Sequence, residues 1–217
     1  MENARRLGVD LGQVEIAILS HGHRDHSGGL PRFFSLNASA PVYLQKSALE
    51  AYYGSQGDYI GLEEERDAAH RLRFVQTQQK IGEGLTLFAG SCVPEAEPID
   101  PAGLTVERGG VRVPDDFLHE QYLLIEEEGK RVLISGCSHR GILNIADRFR
   151  PDVLIGGFHF FKQEPSSPKV LRAAEKLLSY PTVYYTGHCT GTEQFAVMKK
   201  RMADRLHALS TGTEIIL

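Results

Sequence analysis

Ser20-His21-Gly22-His23-Arg24-Asp25-His26-Ser27-Gly28-Gly29 packs three histidines and one aspartate into six residues. The run before it, Val14-Glu15-Ile16-Ala17-Ile18-Leu19, is apolar and strand-like, and turn formers follow at Gly28, Gly29 and Pro31. The histidines therefore stand where a buried strand ends, and a loop there can aim several side chains at one point from a rigid base. His21 and His23, two apart, leave the strand end on the same side. Asp25 and His26 come after the turn and can face that pair from across it. Neutral imidazoles and a carboxylate suit a borderline divalent metal, zinc first, with manganese and iron served by the same donors. The plain alternative is a polar turn that happens to be rich in histidine; three in six residues, beside an aspartate and a Gly-Gly turn, weigh against it.

Three more polar clusters follow apolar runs in the same way: Gly136-Cys137-Ser138-His139, Gly156-Gly157-Phe158-His159, and Thr186-Gly187-His188-Cys189-Thr190-Gly191. Each reads as strand, small residues, histidine, then helix or turn. Ligands of such sheets gather at one set of strand ends, so the repetition predicts that these histidines serve one site. His139 and His188 are expected metal ligands. Their plain alternatives are a helix-start histidine bonded to the backbone and a cap for the helix near Thr190. His159 is expected at the substrate or behind the ligands, with a structural role as the alternative. Cys137 and Cys189 read as small buried residues. His70, His119 and His207 read as surface residues; His119, in Asp115-Asp116-Phe117-Leu118-His119-Glu120, is the one that competes with His139.

The pattern H-x-H-x-D-H resembles the signature of the metallo-β-lactamase-fold hydrolases. With G-C-S-H, G-G-F-H and G-H-C-T-G it is similar to the subgroup labelled 7,8-dihydropterin-6-methyl-4-(β-D-ribofuranosyl)aminobenzene-5′-phosphate synthase. The resemblance runs from Asn3 to about Gly191. It implies an α/β (α+β) chain folded as an αββα sandwich, and one or two divalent metals. By motif match, His21, His23 and His139 would hold one metal, and Asp25, His26 and His188 the other. Two departures stand out. Gly136-Cys137 occupies the place where many members carry a Gly-Asp pair with a bridging aspartate, and a Pro-Gly-His segment common elsewhere is missing. Family members also have two or more strands before the helix that matches Asn3–Leu7. The chain reads as one N-terminally short domain over 1–217, and a homo-oligomer is expected because a bare sheet edge invites self-association.

The chain has 217 residues, 41% hydrophobic and 24% charged, which suits an ordinary globular chain with a sizeable core. A net charge of -4 gives no electrostatic case for nucleic acid. No apolar run reaches the length of a membrane span, and no signal-type segment follows the basic N-terminus. Three scattered cysteines make no disulfide framework, so a reducing, cytoplasmic setting is expected.

Strands are expected at 14–19, 41–44, 71–76, 84–89, 121–126, 131–135, 152–155 and 182–185, with a closing strand at 214–217. The pair 121–126 and 131–135 reads as a hairpin through Glu128-Gly129-Lys130. Helices are expected at 3–7, 29–36, 47–53 and 141–149, from Ser167-Pro168, and after Thr190, where Glu193 has capping-box spacing. Phe195, Met198, Met202 and Leu206 would give that last helix its core stripe. The run Glu63–Asp67 reads as a solvated face, and 93–110 as a surface loop.

A metal in such a site lowers the pKa of bound water to near neutrality and supplies hydroxide as nucleophile. The expected activity is hydrolysis of a small-molecule ester, lactone or phosphoester, with Asp25 orienting the nucleophile and His159 steadying an oxyanion or a phosphate. A pterin-transfer synthase, a non-catalytic metal-binding module and a single-iron oxygenase are the competing readings. Loops 54–61 and 93–118 are expected to shape the pocket.

Overall fold

The computed structural model describes residues 2–63 and 66–216. The chain divides into two compact units. One comprises Met1–Gln76, Pro101–Gln121 and Glu214–Leu217; the other comprises Thr77–Asp100 and Tyr122–Thr213.

Up to Gln76 the chain forms α1 (Glu2–Arg6), β1 (Ala17–Ile18), α2 (Arg24–Ser27), α3 (Leu30–Leu36), β2 (Val42–Leu44), β3 (Ala51–Tyr53) and β4 (Leu72–Phe74). It then enters the second unit with β5 (Gln78–Gly82) and β6 (Leu85–Ala89), and returns to the first with β7 (Thr105–Arg108) and β8 (Val111–Pro114). The rest is β9 (Gln121–Glu127), β10 (Lys130–Ile134), α4 (Ile142–Phe149), β11 (Val153–Ile155), α5 (Pro168–Leu178), β12 (Val183–Thr186), α6 (Thr192–Met202) and β13 (Leu206–Ala208).

The described residues of the first unit form two small sheets. β1, β2 and β4 run parallel in that order, and β3, β7 and β8 are antiparallel. Leu19, Leu44, Ala48 and Leu62 form one apolar cluster, and Phe33, Ala40 and Val42 another. Gln121 fastens the ends of β1 and β2. Its side-chain amide donates to the carbonyls of Leu19 and Tyr43 at 2.8 and 2.9 Å, and its backbone amide donates to the Ser20 carbonyl at 2.8 Å. The two residues before His21 are thereby fixed, Leu19 by the side chain of Gln121 and Ser20 by its backbone. Arg71 plays a similar part at the other end. Its buried guanidinium donates to the Asn37 and Ala40 carbonyls and to Asn37 Oδ1, and it lies 4.8 Å from the Phe34 ring centroid.

The second unit is a seven-stranded sheet ordered β13-β12-β11-β10-β9-β6-β5. β10 to β13 are mutually parallel, and β9 joins β10 as the expected antiparallel hairpin. Leu133, Ile145, Phe149, Leu154, Leu177, Tyr184 and Met198 belong to its single apolar cluster. The register sets Ile134 beside Ile155 and Ile155 beside Tyr185. Three parallel strands thus end level, and whatever follows each of them leaves from the same edge.

Several expected elements differ. The strand expected over 14–19 shortens to β1. Asp10 caps a 3-10 turn at Leu11–Gln13, and Asn37 Nδ2 donates to the carbonyls of Leu11, Gly12 and Val14, so those groups have no ladder to join. The expected helix 47–53 is a 3-10 turn, Lys46–Leu49, followed by β3, where the tyrosines favour extended pairing with β7. The expected loop 93–110 contains β7. A strand, β5, precedes β6 in place of a direct turn from the 71–76 run. The last helix is capped at Gly191 and starts at Thr192, not Thr190, and Leu206 lies in β13 instead of on its apolar stripe. Glu214–Ile216 form no strand; β13 closes the sheet. Leu217, and Glu64 and Glu65 of the acidic run, lie outside the described residues.

Candidate metal centre

In the first unit the histidine loop begins two residues after β1. His21 and His23 are buried, His26 is partly so, and the Asp25 side chain is 59% exposed. Only glycine fits between the first two histidines: a Cβ on Gly22 would stand 2.5 Å from the Ala48 carbonyl oxygen. After His23 the chain coils at once into α2, with its start pinned by the Arg24 amide on the Ile60 carbonyl at 2.7 Å. That coil swings Asp25 and His26 back toward His21. One ligand atom from each of His21, Asp25 and His26 then lies within 4.8 Å of the other two. The His21 and His26 rings are 4.1 Å apart, and His26 Nε2 is 3.4 Å from Asp25 Oδ2. The Nδ1 atoms of both rings face Ser20 Oγ, at 3.0 and 3.4 Å.

His119 is a correction. It is fully buried, not on the surface, and sits with His23 around Asp115. Asp115 Oδ2 lies 3.3 Å from His23 Nε2 and 3.2 Å from His119 Nε2, while Oδ1 accepts the Phe117 amide at 2.8 Å. Burial pushes the Asp115 carboxyl up, but the hydrogen bonds from His119, His23 and the Phe117 amide together hold it well below the usual carboxylate range. Burial pushes the His119 imidazole down, against the pull of Asp115. Asp115 gave no signal of its own in the sequence. The spacing Asp115-x-x-x-His119 was the visible trace, and it acquires meaning only with the contact to Gly22, 97 residues away.

In the second unit His139, His159 and His188 all follow the level ends of β10, β11 and β12. His139 is buried, His159 partly buried and His188 exposed. The His139 and His159 rings are 4.2 Å apart. Ser138, His159 and His188 each hold a positive φ, of 59°, 54° and 48°. Non-glycine residues seldom adopt that conformation, and it concentrates where a site demands a particular aim. Gly157 packs directly against Cys189 and leaves no room for a Cβ. Cys137 and Cys189 are buried, with the Cys189 thiol 3.6 Å from the Cys137 carbonyl. His70 is exposed and His207 partly so.

The donor chemistry fits a divalent ion: two imidazoles and a carboxylate converge within one loop. Fold and loop together define an α/β protein with a group of side chains that could hold a metal. More narrowly, the chain belongs to the metallo-β-lactamase superfamily, whose family model matches residues 1–188. It is 28% identical to Tm1679, described as a metal-dependent hydrolase of the β-lactamase superfamily. That likeness covers 100% of this chain and 84% of the other, with a TM-score of 0.84. It is 25% identical, over 95% of its length and 77% of the relative's, to the 7,8-dihydropterin-6-methyl-4-(β-D-ribofuranosyl)-aminobenzene-5′-phosphate synthase of Methanocaldococcus jannaschii. The zinc-bound PqqB of Methylobacterium extorquens shares the fold at 15% identity and a TM-score of 0.55, over 94% of this chain and 73% of that one.

Proposed function

We propose that the protein is a metal-dependent hydrolase of a small-molecule ester, lactone or phosphoester. The observation that carries this is the His21–Asp25–His26 donor set, mutually within 4.8 Å, in a member of the metallo-β-lactamase superfamily. On this reading His21, His23 and His139 hold one divalent ion, and Asp25, His26 and His188 a second, zinc being the first candidate. When bound, such an ion supplies a Lewis acid for water and for the scissile carbonyl or phosphoryl oxygen. Asp25, an exposed acceptor, orients the attacking water through its proton. His159 donates to the oxygen that gains charge, or holds a phosphate.

A synthase reading is supported by the likeness to the archaeal enzyme over nearly the whole chain. It would use the same donors to activate a phosphate-bearing leaving group. The two readings separate by assay. Protein purified without added metal is analysed for elements, then offered a nitrophenyl phosphodiester, a homoserine lactone, and the dihydropterin and aminobenzene-ribotide partners. Hydrolysis of either of the first two supports the hydrolase, and joining of the last pair supports the synthase. Failure to take up any divalent ion in metal-replete buffer sinks both.

A further inference from the structure

We propose that Asp115 is a positioning residue that fixes the ring tautomer of His23, with His119 as its partner. The inference rests on the reading of the His21–His26 loop as a metal centre. It begins at His119 Nδ1, which accepts the Gly22 backbone amide at 2.9 Å. A nitrogen that accepts an N–H carries a lone pair, so in this neutral ring the proton sits on Nε2 and is donated to Asp115 Oδ2. Asp115 accepts at both oxygens, the Phe117 amide at Oδ1 and the His119 proton at Oδ2. His23 Nε2 therefore also carries its proton toward Oδ2, which leaves the lone pair of His23 on Nδ1.

The carboxylate is completely enclosed, and its donors are two imidazoles and one backbone amide. His23, Asp115 and His119 also lie close enough to be mistaken for a second metal group. The Gly22 amide argues against that. To ligate through Nε2, His119 would have to move its proton to Nδ1, straight into the Gly22 N–H. The same logic reads the neighbouring rings. Ser20 Oγ has two lone pairs and faces Nδ1 of both His21 and His26. Where the hydroxyl accepts from one of these nitrogens, Nε2 is left as the donor atom of that ring. The carboxylate thus sets which nitrogen His23 can present. Such supports raise ligand basicity and fix ring orientation, and their loss costs roughly 10–100-fold in metal affinity.

The test uses the full chain in metal-free and zinc-loaded form. Nitrogen-resolved NMR of the metal-free wild type is expected to place the His23 proton on Nε2, and a His23 protonated mainly on Nδ1 overturns the proposal. This measurement needs no variant, so it decides even if a substitution at Asp115 fails to fold. In Asp115→Asn one of the two acceptor oxygens becomes an NH2 donor, so the Phe117 amide and both Nε2 protons can no longer all be accepted. Zinc affinity, measured by chelator competition, is expected to fall by about 10–100-fold, and His23 is expected to populate both tautomers. Asp116→Asn, which removes the charge paired with Arg108 and leaves Asp115 in place, is expected to keep wild-type affinity. A wild type that binds no zinc overturns the metal-centre reading and, with it, the role given to Asp115. Unchanged affinity in Asp115→Asn beside a zinc-binding wild type overturns the proposal alone.

Discussion

Gly22 separates the two histidines that leave β1, and its missing side chain is a steric requirement. With the Ala48 carbonyl oxygen 2.5 Å from any Cβ and Ala48 itself fully buried, neither neighbour can swing aside as a flexible side chain would. Gly22→Ala is expected to destabilise the metal-free protein by about 1–3 kcal/mol, the usual range for overpacking, read from denaturant unfolding. A midpoint equal to wild type would mean that the Lys46–Leu49 turn yields at no cost. Two further residues divide by role. Asp25→Asn keeps size and loses charge, so it should weaken metal uptake and cut the rate on the order of 10²-fold, a typical contribution of a positioned acid–base group. His159→Ala should leave metal content intact and lower kcat/KM. If metal analysis instead shows that His159→Ala strips the ion, His159 is a ligand and the role given to His139 or His188 passes to it.

At the scale of elements, the strand-then-histidine layout was legible because parallel strands buried on both faces are written as short apolar runs, here 131–135, 152–155 and 182–185. Their level ends follow from register, so the segments that carry His139, His159 and His188 leave from the same end of the sheet. What the sequence hid was nonlocal. β3 is three residues long and finds its partner β7 more than fifty residues on, so no local period announces either. The Asp115–His119 pair was hidden for the same reason, since its histidine is explained by an amide far away in the chain. Positive φ is equally invisible when a histidine, not a glycine, adopts it. His188 offers a direct measure of that strain. It is exposed, so His188→Gly forfeits little packing, relieves the left-handed backbone and gives back some unfolded-state entropy. The expected result is a metal-free protein more stable by roughly 0.5–1 kcal/mol that has lost metal affinity. A less stable variant would show that the imidazole supports the fold more than it strains it.

For the whole molecule, the acid limb of stability is set by carboxylates that the folded chain holds below their ordinary range, and Asp116 is the one whose contribution can be isolated. Burial pushes Asp116 up, but the Arg108 guanidinium at 2.7 Å and the Leu118 amide at 3.2 Å outweigh it and leave the group lowered. Asp147 is lowered by Arg150 and by the Tyr180 hydroxyl, at a more open site where solvent screens the effect. The folded value of Asp116 lies below the unfolded one, so its stabilisation is fully present above the ordinary carboxylate value of about 3.9. It is lost as pH falls through the lower folded value. Between pH values of about 5 and 7 the group therefore adds no slope. Acidification also carries the net charge of -4 toward positive, a repulsion that wild type and a single variant share almost equally. The difference between their melting curves removes that common part. Asp116→Asn is expected to melt below wild type at neutral pH, to lose less on acidification, and to converge with wild type once the pH has fallen through the folded value of Asp116, where the group is protonated in the wild type as well. A constant gap across the whole range would mean that Asp116 stabilises through packing or the Leu118 amide, and that the Arg108 pair contributes nothing through charge.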